Sequence, residues 1–389
     1  MRTISAVLSD ETVPGAAVIT DDVALAARLA GVGERLLHVS YLRYKPGTSL
    51  VAALRLVSGP AFAYAVAADS RPKLAKTVRR APAGSVLISE PDAGLLIARP
   101  AADRDLPALA DLPRTLARIG LAPEDIGSQT DLAYKPQRRW VGRLDLSDDR
   151  RLVARAYRTA DVAPALTAWQ TASLVDGPVQ VPSVRATCRP RGLVVTSWLD
   201  GTPLDRLLSA GPVSTDVLRE VGVGLARLHT AAERPATAAS ARDERLAQAE
   251  AVATQLTEVL PEVGARVRGL VDRLAAVVPA VDREHPVHGD FSTDQVIVDP
   301  AGRIGITDWD RAGWADPAVD LGSLRAAGLE PGAYGEVLAG YASVREPPAT
   351  VSWYLARARL LRLPEPLRQG RRDWRAQVAA RLTELELLP

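Results

Sequence analysis

The sequence predicts an α+β protein in which an antiparallel β-rich part precedes a mainly helical part. Two patterns lead to this prediction: strand-like segments that repeat before residue 200, and long helical segments after Pro203. Composition agrees with a folded chain, because 47% of the residues are hydrophobic and 24% are charged. At 389 residues the chain is too long for one ordinary core, so two or three domains are expected.

The repeat consists of two similar segments, 90 positions apart (44 to 134). The tripeptide Tyr-Lys-Pro at 44–46 recurs at 134–136, and the apolar residues that follow it recur without a gap. In each copy, alternating apolar residues and a second apolar segment indicate antiparallel strands, and a later apolar run follows Gly94 or Gly192. Similar turn chemistry alone would explain the tripeptide, but the series of matches favours duplication of a whole small sheet domain.

The helical pattern fills the rest of the chain. Alanine, leucine and charged residues recur at helical spacing over 214–228 and over 246–277, where Pro261 interrupts them. We therefore expect three domains. They are a β-rich cap at 1–125, a small β lobe at 126–200 that the cap repeats, and a mainly helical lobe at 201–389.

Composition also argues against some partners. The chain has 48 Lys plus Arg against 46 Asp plus Glu, a net charge of +2, so no basic excess favours nucleic acid. One cysteine cannot form an internal disulfide, which fits a reducing compartment. The apolar runs are far shorter than the roughly 20 residues needed to cross a bilayer, and the first residues lack the apolar core of a signal peptide. We expect a cytoplasmic protein that binds neither nucleic acid nor membrane.

One segment concentrates groups suited to phosphoryl transfer. His288-Gly289-Asp290 precedes a strand-like run that starts at Gln295, a turn, a second strand-like run and then Asp308, eighteen residues after Asp290. Such a hairpin places Asp290, Gln295 and Asp308 at the same end of its paired strands. Phosphoryl transfer needs one carboxylate to orient the acceptor hydroxyl and accept its proton, and oxygen ligands to hold Mg²⁺ on the nucleotide phosphates.

Together with Asp316-Pro317 and Asp320-Leu321, this segment resembles the catalytic loop and metal-binding motif of the aminoglycoside phosphotransferase family. The resemblance covers roughly 131–388 and is strongest over 288–321. It implies a protein-kinase-like bilobal fold, with a small antiparallel β lobe and a large mainly α lobe. The β-rich cap that repeats the small lobe would precede it.

The resemblance also implies ATP and Mg²⁺ as cofactors and a role for each motif residue. Asp290 would be the catalytic base and Asp308 a magnesium ligand, while His288 and Asp320 would support the loop. Gln295 stands where the family usually has a metal-binding asparagine, and it keeps the amide oxygen one methylene further out. Some actinobacterial maltokinase-like and glucosamine-kinase-like proteins, which carry an N-terminal cap, resemble this sequence in having glutamine there. Capping of the hairpin is the alternative role for Gln295.

Further positions are expected to bind the nucleotide. Arg155 lies on a strand that resembles the one presenting a phosphate-binding lysine, and its guanidinium could hold phosphate in place of the lysine. A solvated strand residue is the alternative. Lys135 lies near the place of the nucleotide-covering loop, although the glycines of such a loop are missing. The following linker resembles the one between lobes, where adenine would hydrogen-bond the Ser197 carbonyl and the Leu199 amide.

The sequence therefore predicts an ATP-dependent small-molecule kinase that phosphorylates a hydroxyl of a sugar, an aminosugar or an aminoglycoside. An acidic acceptor pocket would favour an aminosugar or an aminoglycoside. The alternative is a pseudokinase or nucleotide-binding regulatory module without turnover. Arg155, Gln295 and the lack of a glutamate in the helix after Arg155 favour this alternative, whereas Asp290 and Asp308 oppose it.

Overall fold

The computed structural model describes residues 10–175, 177, 179–236 and 240–387, except for the side chains of 240–244. The start of the expected domain 1–125 and the end of the expected domain 201–389 lie outside these residues. The chain forms two compact units. The first comprises Met1–Val162, Val184–Thr196 and Glu365–Val378, and the second comprises Ala163–Ser183, Ser197–Pro364 and Ala379–Pro389.

Strands are more frequent before residue 200, and helices are more frequent after it. The strands are β1 Leu36–Lys45, β2 Ser49–Leu56, β3 Gly59–Val66, β4 Val86–Glu90, β5 Leu95–Ala98, β6 Ile126–Lys135, β7 Arg139–Leu146, β8 Arg151–Tyr157, β9 Val184–Cys188, β10 Leu193–Ser197, β11 Thr202–Pro203, β12 Arg234–Pro235, β13 Arg283–Val287, β14 Val296–Val298, β15 Ile304–Ile306 and β16 Gly313–Ala315. The helices are α1 Gly15–Thr20, α2 Asp22–Ala30, α3 Arg71–Arg80, α4 Leu112–Ala117, α5 Val162–Ala172, α6 Leu204–Ala210, α7 Thr215–Thr230, α8 Ser240–Val259, α9 Pro261–Ala276, α10 Ala318–Ala326, α11 Pro331–Ala342, α12 Val351–Leu361, α13 Glu365–Arg368 and α14 Trp374–Glu386. In the described part of the chain, no helix combines the length and the apolar character needed to cross a membrane.

The first unit contains two five-stranded sheets with the same strand order. One sheet has the order β1-β2-β3-β5-β4 and the other the order β6-β7-β8-β10-β9. Tyr44 pairs with Leu50 across the first hairpin, and Tyr134 pairs with Trp140 across the corresponding second hairpin. The β-rich cap that repeats the small lobe is therefore confirmed at the level of topology and register.

A carboxylate holds the Tyr-Lys-Pro turn in the first copy. The Oδ2 atom of Asp10 accepts hydrogen bonds from the Tyr44 hydroxyl at 2.9 Å and from the Gly47 backbone N–H at 2.8 Å. Gly47 has φ of 64°, in the left-handed region that glycine adopts without steric cost.

The second copy repeats this arrangement with another carboxylate. Asp103 Oδ2 accepts hydrogen bonds from the Tyr134 hydroxyl at 3.0 Å and from the Gln137 N–H at 2.7 Å. Gln137 has φ of 61°, at the position where the first copy has Gly47. Burial raises the pKa of Asp103 to about 6, against the opposing effect of these two hydrogen bonds. The duplication thus extends to the hydrogen bonds of the turn.

The second unit is mainly helical, and α7 packs against α11 at its centre. A Cβ atom added to Gly222 of α7 would lie 1.9 Å from the Val337 carbonyl oxygen, so the backbones of the two helices are in direct contact. Two short antiparallel pairs, β14 with β15 and β13 with β16, contact α7 through β13 and β15. Buried Phe291 and Trp309 join this hairpin region to the helical core.

Candidate active site

The motif residues of the second unit surround the β14–β15 hairpin. Val296 pairs with Ile306, and the Thr307 N–H donates a hydrogen bond of 2.9 Å to the Gln295 carbonyl oxygen. Gln295 immediately precedes β14, and Asp308 follows Thr307. The hairpin therefore holds the segments of Gln295 and Asp308 side by side at its open end.

The side chain of Gln295 is buried, with 7% of the residue exposed. Within the described structure, its Oε1 atom has no hydrogen-bond partner. A buried polar atom left without a partner costs about 1–3 kcal/mol, so a ligand that coordinates this oxygen would remove the penalty. A hairpin cap would instead use this oxygen in a hydrogen bond.

Asp308 adopts a left-handed backbone conformation, with φ of 62° and ψ of 50°. This conformation costs a residue other than glycine roughly 1–2 kcal/mol, and such strain often occurs at functional sites. The next residue, Trp309, is fully buried, and its indole N–H donates to the Ile306 carbonyl at 2.9 Å. The anchored tryptophan holds Asp308 in the strained conformation.

His288 connects the loop before Asp290 to the end of β15. Its Nε2 atom lies 2.8 Å from the Thr307 carbonyl oxygen, a pure acceptor, so Nε2 carries the proton and donates it. The ring is fully buried, with its centroid 5.5 Å from that of Phe291 and 4.9 Å from that of Trp309. His288 therefore holds the loop from the inside of the unit.

Asp320, at the start of α10, holds the same loop from another direction. Its carboxylate accepts hydrogen bonds from the His288 N–H at 2.7 Å and from the Gly289 N–H at 2.8 Å, and it is fully buried. His229 Nε2 lies 3.1 Å from the same carboxylate, and His229 Nδ1 lies 2.9 Å from the Tyr341 hydroxyl. This network compensates the buried charge and determines the position of the loop backbone.

Asp290 follows this fixed loop and reaches solvent. Its side chain is 41% exposed, and its Oδ2 atom lies 3.6 Å from the Arg311 Nε atom. Gly289 has φ of 81°, and a Cβ atom there would lie 2.2 Å from the Arg311 carbonyl oxygen. Sequence reasoning missed Arg311, whose only signal was its place directly after the Asp308-Trp309-Asp310 motif.

The donor set around the hairpin suits Mg²⁺ bound together with a nucleotide. Asp308 offers a carboxylate and Gln295 a buried amide oxygen without a hydrogen bond in the described structure. No group of three His, Cys, Asp or Glu side chains that could hold a metal occurs among the described residues. Mg²⁺ usually takes one or two protein carboxylates and completes its ligands with phosphates and water. The two residues therefore fit a magnesium ion carried on substrate phosphates.

Comparison with known proteins identifies the family. The model of the phosphotransferase enzyme family matches residues 125–361, which is more than half of the chain. The chain belongs to this family. Viomycin phosphotransferase from Streptomyces vinaceus is 30% identical over 189 residues, which make up 46% of this chain and 63% of that protein. The chain therefore matches slightly less than two thirds of that relative's length.

Solved structures of other phosphotransferases share the fold. Macrolide 2'-phosphotransferase type I superposes with a TM-score of 0.51 at 21% identity, over 71% of this chain and 96% of that one. A thermostable mutant of aminoglycoside phosphotransferase APH(4)-Ia, in a ternary complex with ADP and hygromycin B, gives a TM-score of 0.50 at 19% identity. It covers 69% of this chain and 95% of that one. The predicted fold class is confirmed.

The two residues predicted to bind phosphate, Arg155 and Lys135, lie on the five-stranded sheet β6-β7-β8-β10-β9 of the first unit. Arg155, on β8, is only 4% exposed, and its Nη1 atom donates to the Thr196 hydroxyl at 2.8 Å. Its burial excludes the alternative of a solvated strand residue. Lys135 ends β6 and is exposed.

The linker candidates lie where the chain enters the second unit. The Ser197 N–H donates to the Ser183 carbonyl at 2.9 Å, and the Ser197 hydroxyl accepts from the Ser183 N–H at 2.9 Å. Leu199 follows outside any strand and is partly buried. The preceding helix, α5, contains no glutamate, and its Trp169 donates from the indole N–H to Asp310 Oδ1 at 2.9 Å.

A cavity of about 630 Å³ adjoins the catalytic loop within the second unit. Gly289 and Arg311 line it from the catalytic segment, Trp314 lines it from β16, and Arg245 and Arg357 line it from α8 and α12. Its size lies within the range of small-molecule sites. Its position next to Asp290 makes it the candidate acceptor site, and sequence reasoning did not identify its helical residues.

Proposed function

We propose that the protein is an ATP-dependent kinase that transfers the γ-phosphate to a hydroxyl of a sugar, an aminosugar or an aminoglycoside. The observation that carries the proposal is the grouping of the exposed Asp290 carboxylate, the hydrogen-bonded loop before it, and the Gln295 and Asp308 donors at the hairpin end. Family membership supports the reaction class, and the ADP complex of the similar aminoglycoside phosphotransferase supports the nucleotide.

In this reaction, Asp290 acts as the general base. Its carboxylate accepts a hydrogen bond from the acceptor hydroxyl and takes the proton as the hydroxyl oxygen attacks the γ-phosphorus. A bond forms between these two atoms, and the bond from the γ-phosphorus to the bridging oxygen breaks. ADP leaves with that electron pair. Mg²⁺, held by Asp308 and Gln295, would neutralise charge on the phosphates.

The remaining assignments concern nucleotide binding. Arg155 and Lys135 bind phosphates, and the Ser197 carbonyl and the Leu199 amide bind adenine. The lobe at 126–200 holds the nucleotide, the lobe at 201–389 holds the acceptor, and 1–125 is the cap. The partner of the protein is a small hydroxylated molecule, with no role for nucleic acid or membrane, and the protein works in the cytoplasm.

Two substitutions test the different tasks of the two acids. Asp290→Asn keeps the shape but removes the base, so turnover should fall about 10²–10⁴-fold while Mg²⁺-ATP still binds. Asp308→Asn removes a charged ligand, so nucleotide affinity and turnover should fall together. Asp272→Asn, an exposed carboxyl on α9, is the matched control. Calorimetric titration and a phosphate-transfer assay measure both quantities, and wild-type turnover by Asp290→Asn would refute the assignment.

A nucleotide-binding module without turnover is the second candidate. Its support is Arg155 at the expected lysine position, buried against Thr196, together with the lack of a glutamate in α5. It predicts that the wild type binds Mg²⁺-ATP but releases no ADP with any sugar, aminosugar or aminoglycoside. Release of ADP that depends on both the acceptor and Asp290 would exclude it.

A further inference from the structure

Among the described residues that line the cavity beside Asp290, three are arginines and two are acidic. The arginines are Arg245, Arg311 and Arg357, and the acidic residues of this described lining are Glu284 and Asp316. An aminoglycoside carries several positive charges at neutral pH, so a site for it should offer carboxylates that lack partners. The hydrogen bonds and ion pairs of these acidic and arginine side chains therefore decide whether the cavity favours a cationic or an anionic ligand.

Both acids are engaged inside the protein. Glu284 forms an ion pair with Arg234, at 2.7 Å between Oε2 and Nη2, and its side chain is 9% exposed. Asp316 accepts hydrogen bonds from the Ala318 N–H at 2.9 Å and from the Thr350 hydroxyl at 2.8 Å. Arg234 thus compensates the charge of Glu284, and Asp316 already accepts a hydrogen bond at each of its two carboxylate oxygens.

Arg357 has a different set of partners. Its Nε atom donates to the Arg245 carbonyl at 2.8 Å, and its Nη2 atom lies 3.3 Å from the Gln248 amide oxygen. Both acceptors are neutral, and no carboxylate of a described side chain lies within ion-pair distance of Arg357. Burial lowers the pKa of Arg357, and the nearby positive charge of Arg245 adds to this effect.

Arg245 stands next to Arg357 on the cavity wall. Its Nη1 atom donates to the Pro279 carbonyl at 3.0 Å and lies 3.4 Å from the Tyr354 hydroxyl. These contacts hold the Arg245 guanidinium at the cavity wall, near enough for its charge to lower the pKa of Arg357. Guanidinium groups on one cavity wall offer several charged hydrogen-bond donors to an anionic ligand.

We propose that the acceptor carries an anionic group, a carboxylate or a phosphate, and that Arg357 and Arg245 bind this group while Asp290 receives the proton of an acceptor hydroxyl. The proposal rests on the proposed function, because it takes the cavity as the acceptor site. Guanidinium groups bind both kinds of anion through charge-assisted, frequently bidentate hydrogen bonds. The acceptor is thus a sugar acid or a sugar phosphate, in preference to a neutral sugar or a polycationic aminoglycoside.

Matched acceptors test this charge preference. Glucose, glucuronate, glucose 6-phosphate, gluconate, glucosamine and kanamycin are each supplied with Mg²⁺-ATP, and acceptor-dependent ADP release is measured. At least one anionic member should exceed its neutral match about 10- to 100-fold in kcat/KM, the effect of a charge-assisted hydrogen bond. A neutral or cationic member as the best acceptor overturns the proposal. Comparing the anions with one another distinguishes carboxylate from phosphate.

Substitutions locate the preference in the cavity. Arg357→Gln should lose about 10- to 100-fold in kcat/KM for the anionic acceptor and change the neutral match no more than about threefold. Arg359→Gln removes the same charge from the same helix outside the cavity wall and should retain the preference. Unchanged Mg²⁺-ATP affinity of Arg357→Gln shows that the variant is folded. A preference that Arg357→Gln retains in full contradicts the assignment.

The failures of the two proposals can be distinguished. If Asp290→Asn abolishes turnover but neutral or cationic acceptors are preferred, the charge proposal is wrong and the kinase proposal stands. If no acceptor in the panel is phosphorylated, calorimetric titration of glucuronate, glucose 6-phosphate and glucose decides. Anion binding that is about tenfold tighter than glucose binding and is lost in Arg357→Gln sustains the charge proposal, whereas equal binding overturns it.

Discussion

Gly289→Ala should separate backbone strain from steric overlap at the catalytic loop. Gly289 and Gly302 both have φ of 81°. A Cβ atom at Gly302 has Val217 Cγ2 as its nearest neighbour, at 3.9 Å, whereas a Cβ atom at Gly289 would lie 2.2 Å from the Arg311 carbonyl oxygen. Gly302→Ala is therefore a matched control that has the same φ and no overlap.

The magnitudes follow from these distances. The left-handed conformation alone costs alanine roughly 1–2 kcal/mol, which is the loss expected for Gly302→Ala. At Gly289, the loop or the Arg311 carbonyl must also move by about 1 Å to restore van der Waals contact, which adds roughly 1–3 kcal/mol. A displacement of this size at a reacting group can cost about 10²-fold in rate, so turnover should fall in Gly289→Ala alone.

Urea unfolding and the phosphate-transfer assay measure these two effects. We expect Gly289→Ala to lose about 2–5 kcal/mol of unfolding free energy and to turn over about 10²-fold more slowly. Gly302→Ala should keep wild-type turnover. Equal stability and equal turnover of the two variants would refute the argument that the Arg311 carbonyl confines the loop beside Asp290.

Three further predictions follow from other contacts. Asp320→Asn replaces a carboxylate that accepts two backbone N–H bonds by a group with only one oxygen, so the unfolding free energy should fall by about 3–5 kcal/mol. The exposed control Asp282→Asn should lose less than about 0.5 kcal/mol, and urea midpoints of the two variants within error of each other would contradict this. Arg155→Lys should retain more ATP affinity than Arg155→Ala, and calorimetric equality of the alanine variant with the wild type would remove Arg155 from the phosphate site. Burial raises the pKa of Asp103 from 3.8 to about 6, so its protonated form is favoured in the folded state and the stability it contributes at low pH is lost as the pH rises through 6. Asp103→Asn cannot titrate, so the unfolding free energy of this variant relative to that of the wild type should rise by up to about 3 kcal/mol between about pH 4 and pH 7. A difference between the two proteins that does not change with pH would show that Asp103 does not cause the pH dependence of stability.

The sequence by itself determined the features that depend on neighbouring residues. The Tyr-Lys-Pro turns and the period-two alternation that follows them are local, and the sheets form as the patterns predict. Gln295 and Asp308 are joined by a short hairpin, so chain connectivity alone brings their segments together. The motif from His288 to Leu321 is likewise continuous, which is why it was sufficient to predict the family and the fold class.

Only the tertiary structure decided the features that depend on distant residues. Asp103 accepts a hydrogen bond from Tyr134, which is 31 positions away in the sequence. Arg357 donates one to the Arg245 carbonyl, which is 112 positions away. No local sequence pattern indicates either contact, because each contact depends on how separate segments pack. The same holds for the buried Gln295 oxygen without a hydrogen bond in the described structure and for the arginine-lined cavity. Burial and pocket charge arise where helices such as α8 and α12 meet, and helical periodicity specifies which face is buried but not which distant charges it will face.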